Sequence, residues 1–326
     1  MPTTRSTHRG VSGSGRAHAK AILIGEHTVV YGLPAVAVPL RDLTVEVVVT
    51  PTDTRQRPPP DDGGSDDIFD SRFTASADTE TTDDPGSAVV AASLRRWGRP
   101  GESVEVRVRS RIPPARGLGS SAATAAATVR AVADLHGVTP DARSLYELVQ
   151  IGEHVSHGRA SGVDAVTVTA CRPLRFAAGS IRPITTPADA VLVIADTGAP
   201  GRTDRAVAAA RTTLHRDRTL ARRLLARANE LTESAVQELA AGRMRALGQS
   251  MNDFHSLLRE LSVSTPGIDR LTTSARRAGA YGAKLTGGGL GGCVIALTDA
   301  DSAAAIGAAM LAAGAQRTWL ADIPKG

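Results

Sequence analysis

Pro113-Pro114-Ala115-Arg116-Gly117-Leu118-Gly119-Ser120-Ser121-Ala122-Ala123 is the stretch on which the reading of this chain turns. It follows residues 103–112, where Val alternates with Glu or Arg as in a half-buried strand. It runs into the Ala-rich residues 120–136, a helical pattern that Gly137 stops. Gly117 and Gly119 permit backbone angles and a closeness of approach that a side chain would block. The helix behind them offers unpaired amide N–H groups and the positive end of its dipole, which suits an anion such as a triphosphate. Ser120 and Ser121 add hydroxyls, and one of these can ligate Mg²⁺. The plainer alternative is a serine N-cap after a glycine turn. A Walker lysine is absent, so this is no P-loop.

Outward from that loop, residues 17–24 and 35–40 read as strands flanking the turn 25–32, with 43–50 as a third. Residues 51–86, crowded with Pro, Asp, Thr and Gly, are expected to be a mobile loop or insertion. Helical patterns cover 86–98 and 145–155, and strand patterns cover 163–169 and 191–196. Beyond the Pro-rich link 182–188, long helices are expected over 204–241 and 244–261. A helix at 268–278, a strand pair at 283–286 and 293–297, and an Ala-rich helix at 303–315 complete the chain. Strands in runs and helices in runs argue an α+β fold. At 326 residues the chain is long enough for two domains, placed at 1–187 and 188–326.

Composition removes several function classes. Hydrophobic residues are 42% and charged residues 22%, which is globular rather than disordered. No apolar run approaches the ~20 residues that cross a bilayer. The net charge of +5 invites nucleic acid, but only Lys20, Lys284 and Lys325 are lysines, so the excess is arginine throughout. Two Trp, three Tyr and four Phe are too few for a base-stacking platform. Arg107, Arg109 and Arg111 share a strand face, read as solvated. Cys171 and Cys293 make neither a disulfide framework nor a metal cluster, which fits a reducing cytoplasm. The N-terminus, with no apolar core, is read as a short flexible tail. His154 and His157 lack the further ligands a zinc site needs.

Three motifs, in order, carry a resemblance. The first is Lys20-Ala21-Ile22-Leu23-Ile24-Gly25-Glu26-His27-Thr28-Val29-Val30-Tyr31-Gly32, the second the loop quoted above, and the third Lys284-Leu285-Thr286-Gly287-Gly288-Gly289-Leu290-Gly291-Gly292-Cys293. Together they resemble the motifs of the GHMP kinases, and the first looks most like the mevalonate kinase branch. The third departs at Leu290, where many relatives carry glycine. Glu153 and Asp164 stand in Gly152-Glu153-His154-Val155-Ser156-His157-Gly158-Arg159-Ala160-Ser161-Gly162-Val163-Asp164. From spacing alone they are a surface acid and a turn acid; the resemblance matches them to a metal-binding glutamate and a catalytic aspartate.

The resemblance implies an N-terminal domain like the second domain of ribosomal protein S5, a ferredoxin-like C-terminal domain and a cleft between them. It implies ATP and Mg²⁺, with the nucleotide on Pro114, Gly117, Leu118, Gly119, Ser120, Ser121, Ala122, Gly288 and Gly289. Ser121 and Glu153 would hold the metal, while Asp164, paired with Lys20, would face the acceptor hydroxyl. His27, Arg159 and Thr203 would line the mevalonate site with Lys20 and Asp164; Thr203 also reads as a plain helix N-cap. The segment 251–269 would form part of the substrate wall. The activity implied is transfer of the γ-phosphoryl group to the 5-hydroxyl of mevalonate; from the composition above, the enzyme is expected to be cytoplasmic and without nucleic-acid or membrane partners. Phosphomevalonate kinase, homoserine kinase and diphosphomevalonate decarboxylase are the sibling alternatives, and a non-catalytic regulator or RNA-binding protein the alternative of another class. The oligomeric state stays open, a homodimer included.

Overall fold

A computed structural model describes residues 12–52, 69–79, 82–157, 162–177, 179–187 and 189–325. The expected N-terminal tail falls largely outside them. The chain divides into two compact units, one of residues 1–17, 44–112 and 121–165, the other of 18–43, 113–120 and 166–326. Strands β1 (Gly13–Ile24) and β2 (Ala35–Pro51) contribute residues to both.

In the first unit, residues 45–51 of β2 pair antiparallel with β4 (Ser103–Ser110), which pairs in turn with β3 (Phe69–Ser76). The β4 valines point inward: Val104, Val106 and Val108 are buried, while Glu105, Arg107 and Arg109 lie on the half-exposed face. The arginine row is engaged across the sheet, Arg107 donating to Asp70 at 2.9 Å. Helices α1 (Pro85–Trp97), α2 (Ser120–Leu135, from its second residue on) and α3 (Ala142–His157) follow in this unit. Asp84 caps α1 by accepting the Ser87 N–H. Alanine makes up much of the buried face of α2, which lets it pack closely.

Four corrections to the sequence reading follow. Within the segment 51–86, residues 69–76 are a strand; the rest of its Pro-rich stretch, 53–68, lies outside the described residues. Residues 163–167 are the short helix α4 (Val163–Thr167), not a strand, so Asp164 sits in a first helical turn. Residues 35–40 and 43–50 are one continuous strand, β2. The long helix expected over 204–241 is two, α5 (Thr203–Arg216) and α6 (Arg218–Ala240), broken where Asp217 turns to cap α6 through Thr219 and Leu220. Strands β5 (Leu174–Ala177) and β6 (Ser180–Pro183), and a final strand, were not foreseen; β5 pairs with β2 through Ala35↔Phe176.

The second unit holds a four-stranded antiparallel sheet of β7 (Val191–Asp196), β8 (Gly282–Thr286), β9 (Cys293–Thr298) and β10 (Arg317–Asp322), in the order β10-β7-β9-β8. Helices α7 (Met244–Glu260) and α8 (Pro266–Arg277) pack on β8, and α9 (Ala300–Ala312) on β7. Around this sheet the sequence runs strand, helices, two strands, helix, strand, which is the ferredoxin-like arrangement. Leu192, Val193, Ile194, Val294, Ile295 and Leu297 are fully buried, so β7 and β9 read as unbroken apolar runs rather than alternating ones.

Candidate active site

The second unit gathers one group of the expected site residues. β1 ends in the turn Gly25-Glu26-His27-Thr28, and Lys20 lies beside the glycine loop, its N–H donating to Leu118 O at 3.0 Å. The Lys20 ammonium donates to Gly117 O at 3.1 Å, and its side chain is all but buried. Gly119 (φ +72°) holds this approach open: a Cβ there would stand 2.9 Å from Lys20 Cγ and 3.0 Å from Cε. Only glycine combines that φ with that space.

The third glycine loop comes to the same place. Residues 284, 286 and 288 each reach the end of β1. Lys284 Nζ forms an ion pair with Glu26 Oε1, Thr286 Oγ1 accepts the Ile22 N–H at 2.9 Å and donates to Ile22 O at 3.1 Å, and His27 Nε2–H donates to Gly288 O at 2.7 Å. Burial holds the His27 ring below the usual histidine range, against the hydrogen bond to Gly288, with Lys284 pushing the same way. Thr203 opens α5 against Gly288, so close that a Cβ on Gly288 would meet Thr203 Oγ1 at 2.5 Å. Thr203 is the first helical residue and Arg202 the cap position, which corrects the N-cap reading of Thr203.

The glycine loops are further laced to the turn between β7 and α5. Ala115 O accepts from Gly201, Gly289 O from Arg202 and Ala199 O from Gly292, while Arg116 O accepts from Cys293 and so ties the two glycine loops to each other. Arg116 Nε donates to Asp196 at 2.8 Å. Sequence reasoning missed this pair, since nothing local marks Arg116 or Asp196. It also passed over Glu26 and Lys284 as partners, although the rarity of lysine had singled out Lys284.

Backbone strain collects in the same loops. The non-glycine residues with positive φ among those described are His27 (62°), Ala115 (55°), Ser262 (63°) and Leu290 (54°). One falls in each motif. Ser262 belongs to the α7–α8 loop, whose Val263 O accepts the Leu290 N–H at 2.9 Å. Such conformations cost on the order of 1 kcal/mol or more each and collect at functional sites.

The first unit holds the other group. Ser121 and Ala122 lie in the first turn of α2, and Ser121 Oγ lies 3.3 Å from Ser156 Oγ of α3. Glu153 is three residues before Ser156, on the same face of α3, and is buried. Ser121 offers a hydroxyl and Glu153 a carboxylate, both hard oxygen donors. Asp164 stands half-exposed in the first turn of α4, where a helix dipole favours an anion. Arg159 lies outside the described residues. Among the described residues no group of three or more His, Cys, Asp and Glu is arranged to hold a metal.

The model of the GHMP kinases N terminal domain matches residues 87–172, and that of the GHMP kinases C terminal region matches 235–316. The mevalonate kinase of Thermococcus gammatolerans is 32% identical over 296 residues, covering 86% of this chain and 87% of that protein. The mevalonate kinase of Pyrococcus horikoshii matches at the same identity and coverage. Among solved structures, L. major mevalonate kinase in complex with R-mevalonate superposes with a TM-score of 0.80 at 23% identity, over 100% of this chain and 99% of that one. A two-domain α+β fold, three motifs in order and relatives matched over 87% of their length at this identity make the chain a member of the GHMP kinase family, most like its mevalonate kinases.

Proposed function

We propose that this chain transfers the γ-phosphoryl group of ATP to the 5-hydroxyl of mevalonate, giving 5-phosphomevalonate and ADP. The observation that carries the reading is the run of mevalonate kinases at 32% identity across 86% of the chain, with all three family motifs present in order and the third departing only at Leu290.

Phosphoryl transfer asks a protein chiefly for positioning and charge stabilisation. The backbone of Gly117, Leu118, Gly119 and Ser120 with the start of α2, and the Gly288–Gly289 turn, cradles the triphosphate. Pro114 sets the entry to that loop. Asp164 accepts the proton of the 5-hydroxyl, and the Lys20 ammonium favours the alkoxide that develops. His27, Thr203 and Arg159 orient the substrate and meet its carboxylate.

Ser121 and Glu153 would hold Mg²⁺, a hydroxyl and a carboxylate being the kind of hard oxygen donor this ion takes beside phosphate and water. When bound it would neutralise charge on the phosphates as the bond to ADP breaks. We place the domain division at residue 187 and the enzyme in the cytoplasm. No described helix is long and apolar enough to cross a membrane.

An ADP-release assay across mevalonate, phosphomevalonate, diphosphomevalonate and homoserine tests the reading. Turnover with mevalonate is expected, and turnover only with another of the four overturns the assignment. Salt-sensitive RNA binding without ATP turnover would favour the regulator instead.

A further inference from the structure

We infer that the buried Glu26–Lys284 ion pair is a positioning device of the kinase, one that fixes the His27 turn against the third glycine loop. This deepens the reading above and rests on it.

Lys284 is fully buried and Glu26 is 2% exposed. Lys284 Nζ, besides Glu26 Oε1, donates to Leu285 O at 2.6 Å and reaches Ile22 O at 3.5 Å. It also lies 5.8 Å from the centre of the Phe254 ring. The ammonium is thus well satisfied. The carboxylate is not, for Glu26 Oε2 is buried with no hydrogen-bond partner among the described residues.

A pair placed so deeply is a poor way to gain stability. The desolvation of two charges rivals their attraction, and an apolar pair of similar volume is often as stable or more so. Burial pushes the Glu26 carboxyl up and the Lys284 amine down, each opposed by the attraction of the other. What the pair supplies that an apolar contact would not is direction, because a carboxylate and an ammonium fix one geometry between two backbones.

Those backbones matter. Glu26 immediately precedes His27, whose strained φ of 62° and whose bond to Gly288 O define the end of the first motif. Lys284 is the first residue of the third motif, and residues 284, 286 and 288 latch in turn onto Glu26, Ile22 and His27. The pair is the charged member of this ladder and its most buried one. It acts through His27 and Gly288, so both residues are positioning rather than catalytic.

The test separates positioning from stability. Glu26→Gln and Lys284→Met each break the pair, and the thermal midpoint falls in both. In the double variant Glu26→Leu/Lys284→Met the midpoint returns close to wild type, since no buried charge is left alone. Its kcat with mevalonate stays down by about tenfold or more, as expected when a site is misplaced by a fraction of an ångström. KM for ATP and mevalonate moves less than about threefold. Hydrogen exchange of the amides of residues 286–290 accelerates in the double variant while the rest of the second unit keeps its protection.

Recovery of wild-type kcat together with the midpoint, or unchanged exchange at 286–290, overturns the inference. If the apolar double variant does not fold, the near-isosteric Glu26→Gln carries the same two readouts, and a wild-type kcat in it is equally fatal. The exchange measurement uses no substrate. A wild-type enzyme that fails to phosphorylate mevalonate therefore defeats the proposed function, and leaves the ladder to be judged by exchange alone.

Discussion

Arg116 of the second motif's glycine loop and Asp196 at the end of β7 meet at 2.8 Å, 80 residues apart in the chain. Asp196 also accepts the Gly198 N–H at 2.8 Å, so one carboxylate holds both the glycine loop and the turn that leads to Thr203. With only 18% and 10% of their side chains exposed, the two charges are mostly out of water. Arg116→Ala leaves that carboxylate short of its charged partner and is expected to cost about 2–3 kcal/mol in denaturant unfolding. In the kinase assay it should raise KM for ATP and for mevalonate together, because both sides of the site lose one anchor. A rise in one KM alone would argue against the lacing.

Asp164→Asn keeps the size of the side chain and removes its basicity. Turnover with mevalonate should fall by about 10²–10⁴-fold, the range of a lost general base, with the unfolding midpoint little changed. Intact phosphorylation by this variant would show that Asp164 is not the base.

Gly119→Ala probes the Lys20 approach. The φ of +72° alone costs about 1–2 kcal/mol for a side chain. The new Cβ must also push the Lys20 stem, 2.9 Å away, and with it the ammonium on Gly117 O. Activity should drop further than the loss of stability accounts for at a temperature where the variant is fully folded. Wild-type kcat would place Lys20 outside the chemistry.

Leu290 occupies φ 54° where a glycine would rest without strain. Leu290→Gly trades that strain for backbone entropy and some lost apolar contact, so its stability should stay within about 1 kcal/mol of wild type. Leu290→Val puts a β-branched residue in the left-handed region and should cost more than about 1 kcal/mol. Urea unfolding of the two variants checks the order, and a reversed order would mean that Leu290 is held by its side chain.

His255, on α7, is buried against Asp269 of α8, with Nε2 3.1 Å from Oδ1. Burial lowers its pKa from 6.5 to about 4; Asp269 opposes this, and Lys284 and Arg276 add to it. Between those values the unfolded chain binds a proton that the folded chain refuses. The stabilisation is therefore complete above about pH 6.5 and is lost as pH falls toward 4. The span corresponds to about 3 kcal/mol at most. Urea unfolding at pH 7.5 and 5 should show His255→Gln losing less stability on acidification than wild type by about 2 kcal/mol.

The loops were legible because their signals are local. Gly117 and Gly119 ahead of Ser120, or a glycine run after Lys284, announce a turn and a helix start within a dozen residues. The strands β7 and β9 announced themselves as apolar runs. β3 did not, since its residues are mostly exposed and polar, and it is a strand because β4 offers it an edge. The β-branched Val163, Val166 and Thr167 suggested a strand, yet tertiary packing made them a helix, as it often overrides weak propensity. Asp217, one capping residue, divided a helical pattern that periodicity alone read as continuous.

By itself the sequence determined the α+β class, the family motifs and their order, because glycine, serine and buried apolar runs act over short distances along the chain. Only the tertiary structure decided which charges meet. Glu26 finds Lys284 across 258 residues and Arg116 finds Asp196 across 80, and no local pattern marks either pair. Their pairing is a consequence of burial: once a packed core has removed the water around a charge, the partner that folding brings within reach becomes the one interaction that can offset the loss.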